Sequence, residues 1–191
     1  MKTLYIDTHY IDVHIVLYED NKILRRKDII NEKNNSVFVM PAIQEICNPD
    51  EIEEVIVING PGSFTGVRIG VTIAKTIAYC LNCPIKVLSY FDILYISNNK
   101  NDGYYSLSDG NGWYIDLYSN NVSTKNYKYL NNSEYQDFES NNMVYSNIEL
   151  DYEKIINYVK NIEPVNPHSV NPIYIKKIGV EQWFSMPNMK I

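Results

Sequence analysis

The sequence predicts an α/β protein of two lobes, and three observations carry that prediction. Three strand-like segments open the chain. Helix and strand then alternate as far as residue 97. Near Ser97 the composition changes, and short strands follow within asparagine-rich sequence. With 191 residues the chain has room for one large domain or two small lobes. A chain of that size buries roughly 70% of its unfolded surface. The 45% hydrophobic and 21% charged fractions are those of a soluble globular protein.

Residues 3–8 (TLYIDT) and 13–18 (VHIVLY) read as two strands joined by a tight turn, and residues 22–30 (KILRRKDII) as a third. From Asn34 to Cys47 apolar residues recur at helical spacing, through Val39, Met40, Ile43, Ile46 and Cys47, with Pro41 as a bend or a restart. Residues 54–58 (EVIVI) are a short apolar run, as in a strand covered on both faces. Gly60 to Thr65 reads as a turn and Val67 to Leu81 as the strongest helix, ended by Asn82 and Pro84. Another buried strand, 85–88 (IKVL), and a short helix, Tyr90 to Ile96, complete a lobe of residues 1–97. That order fits a ribonuclease-H-like lobe.

Residues 98–191 are expected to form the smaller second lobe and a C-terminal tail. Strands at 104–108 and 113–119 flank a hairpin turn, DGNG, from Asp109 to Gly112. The asparagine clusters between 97 and 147 read as loop filler. Leu150 to Ile162 reads as an amphipathic helix. Pro164, Pro167 and Pro172 then break the chain, and residues 173–191 are free to dock on either lobe.

The net charge is −6 and the pI about 5.1. A chain that grips RNA by itself carries a basic stripe; here the densest basic groups are the short runs Arg25–Lys27 and Lys176–Lys177. No apolar run reaches the ~18 residues of a membrane span, and Asp7 and Asp12 interrupt the N-terminal segment where a signal peptide would be apolar. A cytoplasmic location is therefore expected. The three cysteines, Cys47, Cys80 and Cys83, are too few for a disulfide framework. Cys80 and Cys83 form a lone CxxC at a helix C-terminus, where the dipole does not activate a thiol, and read as packing residues.

The run GPGSFTGVRIG, Gly60 to Gly70, follows a strand and opens a helix, a context that invites a phosphate-binding reading. The spacing does not support it. A Walker loop needs a Lys after its last glycine, and here Gly66 is followed by Val67 and Arg68. A dinucleotide fingerprint needs GxGxxG, whereas Gly60, Gly62 and Gly66 read GxGxxxG. There remains a repeat of small residues every four positions: Gly62, Gly66, Gly70, Ala74 and Ala78. They share one side of a helix and form a bare ridge that admits a close neighbour. Spacing leaves two neighbours open, another element of the same lobe or a partner protein.

The eleven-residue string resembles the glycine motif of the TsaB family, GPGSFTGxRIG. The opening Ile6-Asp7-Thr8 is similar to the family's first strand. The tail NPIYIKKIGVEQW, Asn171 to Trp183, resembles its closing EPxYLR-type segment, with Lys176 or Lys177 at the usual arginine. The resemblance implies a two-lobed actin/hexokinase-type fold with a reduced second lobe. It implies a non-catalytic subunit of the machinery that makes threonylcarbamoyladenosine beside the tRNA anticodon. Such a subunit pairs with and stabilises the catalytic paralogue TsaD and works with the ATPase TsaE; tRNA is held mainly by the partner. The sequence leaves open whether the chain forms a homodimer through the same ridge when alone. The partner surface is then expected at Gly62, Gly66, Arg68, Gly70, Ala74 and Ala78.

The rival readings are an ATP-dependent phosphotransferase or ATPase of the same superfamily, and a metallopeptidase. TsaD binds its metal through histidines, two of them four apart on one helix, and Asn34 to Cys47 contains none. His9, His14 and His168 have no ligand spacing. No metal, cofactor or catalytic set is expected. In the superfamily's ATPases a carboxylate at the first hairpin faces metal and phosphate. Asp7 and Thr8 hold that position, so they are nucleotide-contact candidates, but the turn lacks a glycine and reads equally as a structural turn. Relatives carry a DARxGE-type sequence near Asp109 to Gly112, which here reads as a plain hairpin turn.

Overall fold

A computed structural model describes residues 1–20, 22–30 and 37–176. The first sheet has the strand order β3-β2-β1-β4-β5, from β1 (Lys2–Asp7), β2 (Val13–Glu19), β3 (Lys22–Ile29), β4 (Glu54–Ile58) and β5 (Ile85–Leu88). The hairpins β1–β2 and β2–β3 are antiparallel; β4 joins β1 in parallel and β5 joins β4 in parallel. This is the ribonuclease-H-like lobe the element order predicts.

Burial on both faces explains the unbroken apolar runs Leu4–Ile6 of β1 and Val55–Ile58 of β4. Leu4, Ile6, Val55 and Val57 enter the core under α1 (Val39–Ile46) and α2 (Phe64–Leu81). Tyr5, Ile56 and Ile58 point to the opposite face, against α3 (Tyr90–Ser97) and α5 (Tyr152–Val159). The expected helix start at Asn34 lies outside the described residues. Within them α1 begins at Val39, and Pro41 sits in its first turn, where no intrahelical donor is needed. By length and mean hydropathy (18 residues, 1.2) α2 would pass for a membrane span, unlike the sequence expectation. It carries Arg68 and Lys75 and packs on the first sheet.

The second sheet runs β10-β6-β7-β8, with β9 also paired to β7. Its strands are β6 (Gly103–Ser108), β7 (Gly112–Ser119), β8 (Val122–Ser123), β9 (Lys128–Asn131) and β10 (Val144–Tyr145). The DGNG hairpin links β6 to β7 as predicted. The segment read as loop filler contains three short strands and α4 (Asn132–Asn141), whose start is fixed by a capping box between Asn131 and Glu134. An aromatic core joins the lobes. Phe91, Leu94 and Tyr95 of α3 pack with Tyr105, Tyr114 and Tyr118 of the second sheet. Tyr118 donates a 2.5 Å hydrogen bond to Asp92. Buried on both sides, α3 carries apolar residues on opposite faces, with Asp92 as its one charged side chain.

The expected boundary at residue 98 is crossed again further on. In α5, Ile155, Ile156 and Val159 pack on the first sheet with Tyr5, Val16 and Ile58. Lys86 of β5 pairs with Glu54 at 2.9 Å and donates to the Val159 carbonyl at 3.0 Å, all within buried surroundings. Val165 then hydrogen-bonds to Ile85 at the edge of β5. Among the described residues the second sheet ends at Tyr145, and α5 with the segment to Val165 packs on the first sheet.

Candidate functional site

The glycine motif and the first hairpin turn meet as one constellation. α2 starts at Phe64, three residues earlier than its apolar pattern predicts, because Ser63 caps it through a hydrogen bond from the Gly66 amide. The Ser63 amide donates to the His9 carbonyl at 2.6 Å, and the Thr8 hydroxyl donates to the Gly66 carbonyl at 2.7 Å. A β-carbon on Gly62 would stand 2.0 Å from the His9 carbonyl oxygen, on Gly66 2.2 Å from that of Thr8, and on Gly70 2.2 Å from the Thr8 hydroxyl. The glycines are there because the β1–β2 turn lies directly on the helix.

This decides between the two neighbours that spacing left open. Gly62, Gly66, Gly70, Ala74 and Ala78 do not form an outward ridge for a partner. The three glycines abut the Thr8–His9 turn, and Ala74 and Ala78 are buried in the core over the first sheet. The physical reason is that the helix and the β1 turn approach within a distance only a bare backbone allows. Arg68 lies on a different side of α2, exposed at its surface.

Asp7 and Thr8 are committed to the same contact. Asp7 is fully buried, and its carboxylate accepts from the His9 ring Nδ1 at 2.6 Å, the His9 amide at 3.1 Å and the Tyr5 hydroxyl at 3.4 Å. Burial by itself would raise its pKa; the charge and hydrogen bonds of His9 outweigh that and hold it below the usual range. The His9 ring stacks on Tyr90, with centroids 3.8 Å apart. These contacts are those of a structural turn. His9, which has no ligand spacing in the sequence, is the residue whose ring and amide hydrogen-bond the Asp7 carboxylate. The i, i+2 spacing of Asp7 and His9 was the available signal.

The tail was free to dock on either lobe by sequence; its described part, as far as Lys176, touches both. Lys75 of α2 donates to the Val170 carbonyl at 2.9 Å, and Val170 is buried in the first-lobe core. Asn59, at the end of β4, exchanges bonds with Asn171 and Ile173 at 3.0 and 2.8 Å. The Arg68 Nε donates to the Tyr174 hydroxyl at 2.7 Å while its guanidinium lies 4.0 Å over Phe64. Lys176 then reaches the second lobe, 3.1 Å from both Asp109 and the Tyr129 hydroxyl. The rest of the tail motif, from Lys177 to Trp183, lies outside the described residues.

Asp109 does more than make a plain hairpin turn. It also accepts from the Asn111 and Gly112 amides at 2.9 Å and from Tyr129 at 3.0 Å. Its partial burial opposes ionisation, but the Asn111 amide and Lys176 hold its pKa below the ordinary value. No signal within the turn itself marked this role, because Lys176 is 67 residues away.

Among the described residues there is no group of three or more His, Cys, Asp or Glu placed to hold a metal. The described cysteines are free thiols; Cys47 is buried and Cys80 is exposed at the C-terminus of α2. Burial raises the Cys83 thiol.

A family model described as TsaD, tRNA N6-adenosine threonylcarbamoyltransferase, matches residues 30–107. The tRNA threonylcarbamoyladenosine biosynthesis protein TsaB of Bacillus subtilis (strain 168) is 37% identical over 108 residues, 54% of this chain and 47% of that protein. The protein of the same name from Buchnera aphidicola subsp. Baizongia pistaciae (strain Bp) is 34% identical over 84 residues, 41% of this chain and 37% of that protein. The match thus spans about half the length, or less, of these curated relatives. YeaZ from Pseudomonas aeruginosa superposes with a TM-score of 0.68 at 14% identity, covering 91% of this chain and 99% of that one. That likeness extends the shared fold into the second lobe.

Proposed function

From a TsaB-type sequence on a YeaZ fold, we propose that this chain is a member of the TsaB family: a non-catalytic, cytoplasmic subunit of the tRNA threonylcarbamoyladenosine machinery that pairs with and stabilises a TsaD-like paralogue. The observation that carries this reading is the glycine motif, which resembles that of the TsaB family and is explained in structure by the seat of α2 on the first hairpin turn. In this reading the TsaE-like ATPase joins through the complex, tRNA is held mainly by the partner, and the chain pairs with itself when the partner is missing.

The buried side of α2 is spent on its own lobe, so pairing through this helix uses the opposite side. Thr65, Arg68, Thr72, Thr76 and Tyr79 are exposed there, at spacings that place them on one face. Co-purification with the TsaD-like paralogue, followed by a tRNA modification assay, tests the proposal. The wild-type pair is expected to assemble and, with the TsaE-like ATPase present, to modify tRNA; this chain without the paralogue is expected not to modify it. Thr72→Arg with Thr76→Glu is expected to weaken pairing at least about tenfold, equivalent to about 1.4 kcal/mol, with an unchanged melting temperature. A double variant that pairs normally would remove this face from the interface; a wild-type chain that never pairs would remove the function.

A further inference from the structure

We propose that the segment Val170–Lys176 is a strap with one permanent end and one releasable end, and that the Lys176–Asp109 contact is the latch that fixes the position of the DGNG hairpin relative to α2. The strap stands on the tail contacts alone, whatever the function of the chain.

The two ends differ in kind. On the first lobe Val170 is buried in the core, its carbonyl accepts from Lys75, and Ile173 bonds backbone to backbone with Asn59. Tyr174 adds its ring against Phe64, centroids 5.0 Å apart, and its hydroxyl to Arg68. Apolar burial and backbone hydrogen bonds of this kind are insensitive to salt. On the second lobe the polar side-chain anchor, among the described residues, is the Lys176 ammonium. Lys176 is 3.1 Å from the Asp109 carboxylate and 4.6 Å from the centre of the Tyr129 ring, with side-chain exposures of 44% for Lys176 and 17% for Asp109. Ile175 contributes apolar contact with the aromatic core. A half-exposed ion pair is weak and is screened by salt. The strap is therefore expected to let go at its second-lobe end first, leaving the first-lobe end seated.

The hairpin does not need the latch to keep its shape. Asp109 Oδ1 accepts from the Asn111 and Gly112 amides, whereas Lys176 binds Oδ2. Asp109→Asn therefore retains an oxygen for the turn and removes the charge that holds Lys176. Lys176→Gln releases the same latch without touching the hairpin, and covers the case in which the first variant perturbs the turn.

The test is a spin-label distance between Thr72→Cys on α2 and Asn111→Cys at the hairpin tip, in the full chain with Cys80 and Cys83 replaced by serine. With the native latch at low salt, a single narrow distance is expected. Asp109→Asn, Lys176→Gln and 1 M NaCl should each broaden and lengthen that distribution. Exchange of the Ile173 amide should stay slow in all three. Distributions that remain narrow under every condition would overturn the proposal, because the aromatic core around α3 would then hold the hairpin unaided. Loss of Ile173 protection together with the broadening would also overturn it, since the strap would have no permanent end.

Discussion

At the residue scale, the glycines of the motif are read most directly through what a side chain would strike. Gly70 faces the Thr8 hydroxyl, with 2.2 Å available to a β-carbon. Gly70→Ala is therefore expected to destabilise the isolated chain by about 1–3 kcal/mol, the usual cost of overpacking, and Gly70→Leu by more. Thr8→Ala in the same chain should recover part of the loss, because it removes the atom that is struck. Chemical denaturation of the two single variants and the double variant measures the coupling; strictly additive losses would contradict the contact. The same geometry means that a pairing defect in Gly70→Leu reports on folding and says nothing about the partner surface.

At the element scale, the informative helix is α5. It follows the second sheet in sequence and belongs to the first lobe in space. Ile155 is buried among Tyr5, Ile56, Leu88 and other residues on the face of the first sheet away from α2. Ile155→Ala should cost about 2–5 kcal/mol, as for a buried aliphatic truncation. The loss should appear as faster amide exchange in β1, β4 and β5, with β6 and β7 less affected. The reverse pattern would return α5 to the second lobe. α2 shows how far a helix can be read from periodicity. Its end at Leu81 follows from the pattern and from Asn82, which adopts a left-handed C-cap. Its start at Phe64 depends on Ser63 and on the His9 carbonyl, a residue from the turn after β1.

At the scale of the whole molecule, charge sets what the chain can hold by itself. A net charge of −6 repels a phosphate backbone. Several of the basic side chains are also paired internally: Arg25 with Glu51, Lys27 with Glu45, Lys86 with Glu54 and Lys176 with Asp109. The isolated chain is expected to bind tRNA with a dissociation constant no tighter than about 10 μM at physiological salt, within the range of non-specific association. Fluorescence anisotropy with labelled tRNA measures it, and a sub-micromolar value would contradict the division of labour proposed here.

By itself the sequence determined the first lobe's strands and helices, the β6–β7 hairpin and the family resemblance. Each of these rests on local physics: alternation of two for buried strands, a four-residue recurrence for α2, turn residues at Asp109 to Gly112, and an uninterrupted motif from Gly60 to Gly70. Even the Asn131–Glu134 cap of α4 was legible, and was lost only because the asparagine-rich background read as loop. Tertiary structure alone decided which surface the small residues of α2 face, where α5 and residues 170–176 pack, and what Asp7 and Asp109 bind. A bare helix side, an amphipathic helix and a carboxylate each state a need for a neighbour. None specifies which one, because the neighbour is chosen by chain closure over long separations: Thr8 to Gly66, Val159 to Lys86 and Lys176 to Asp109.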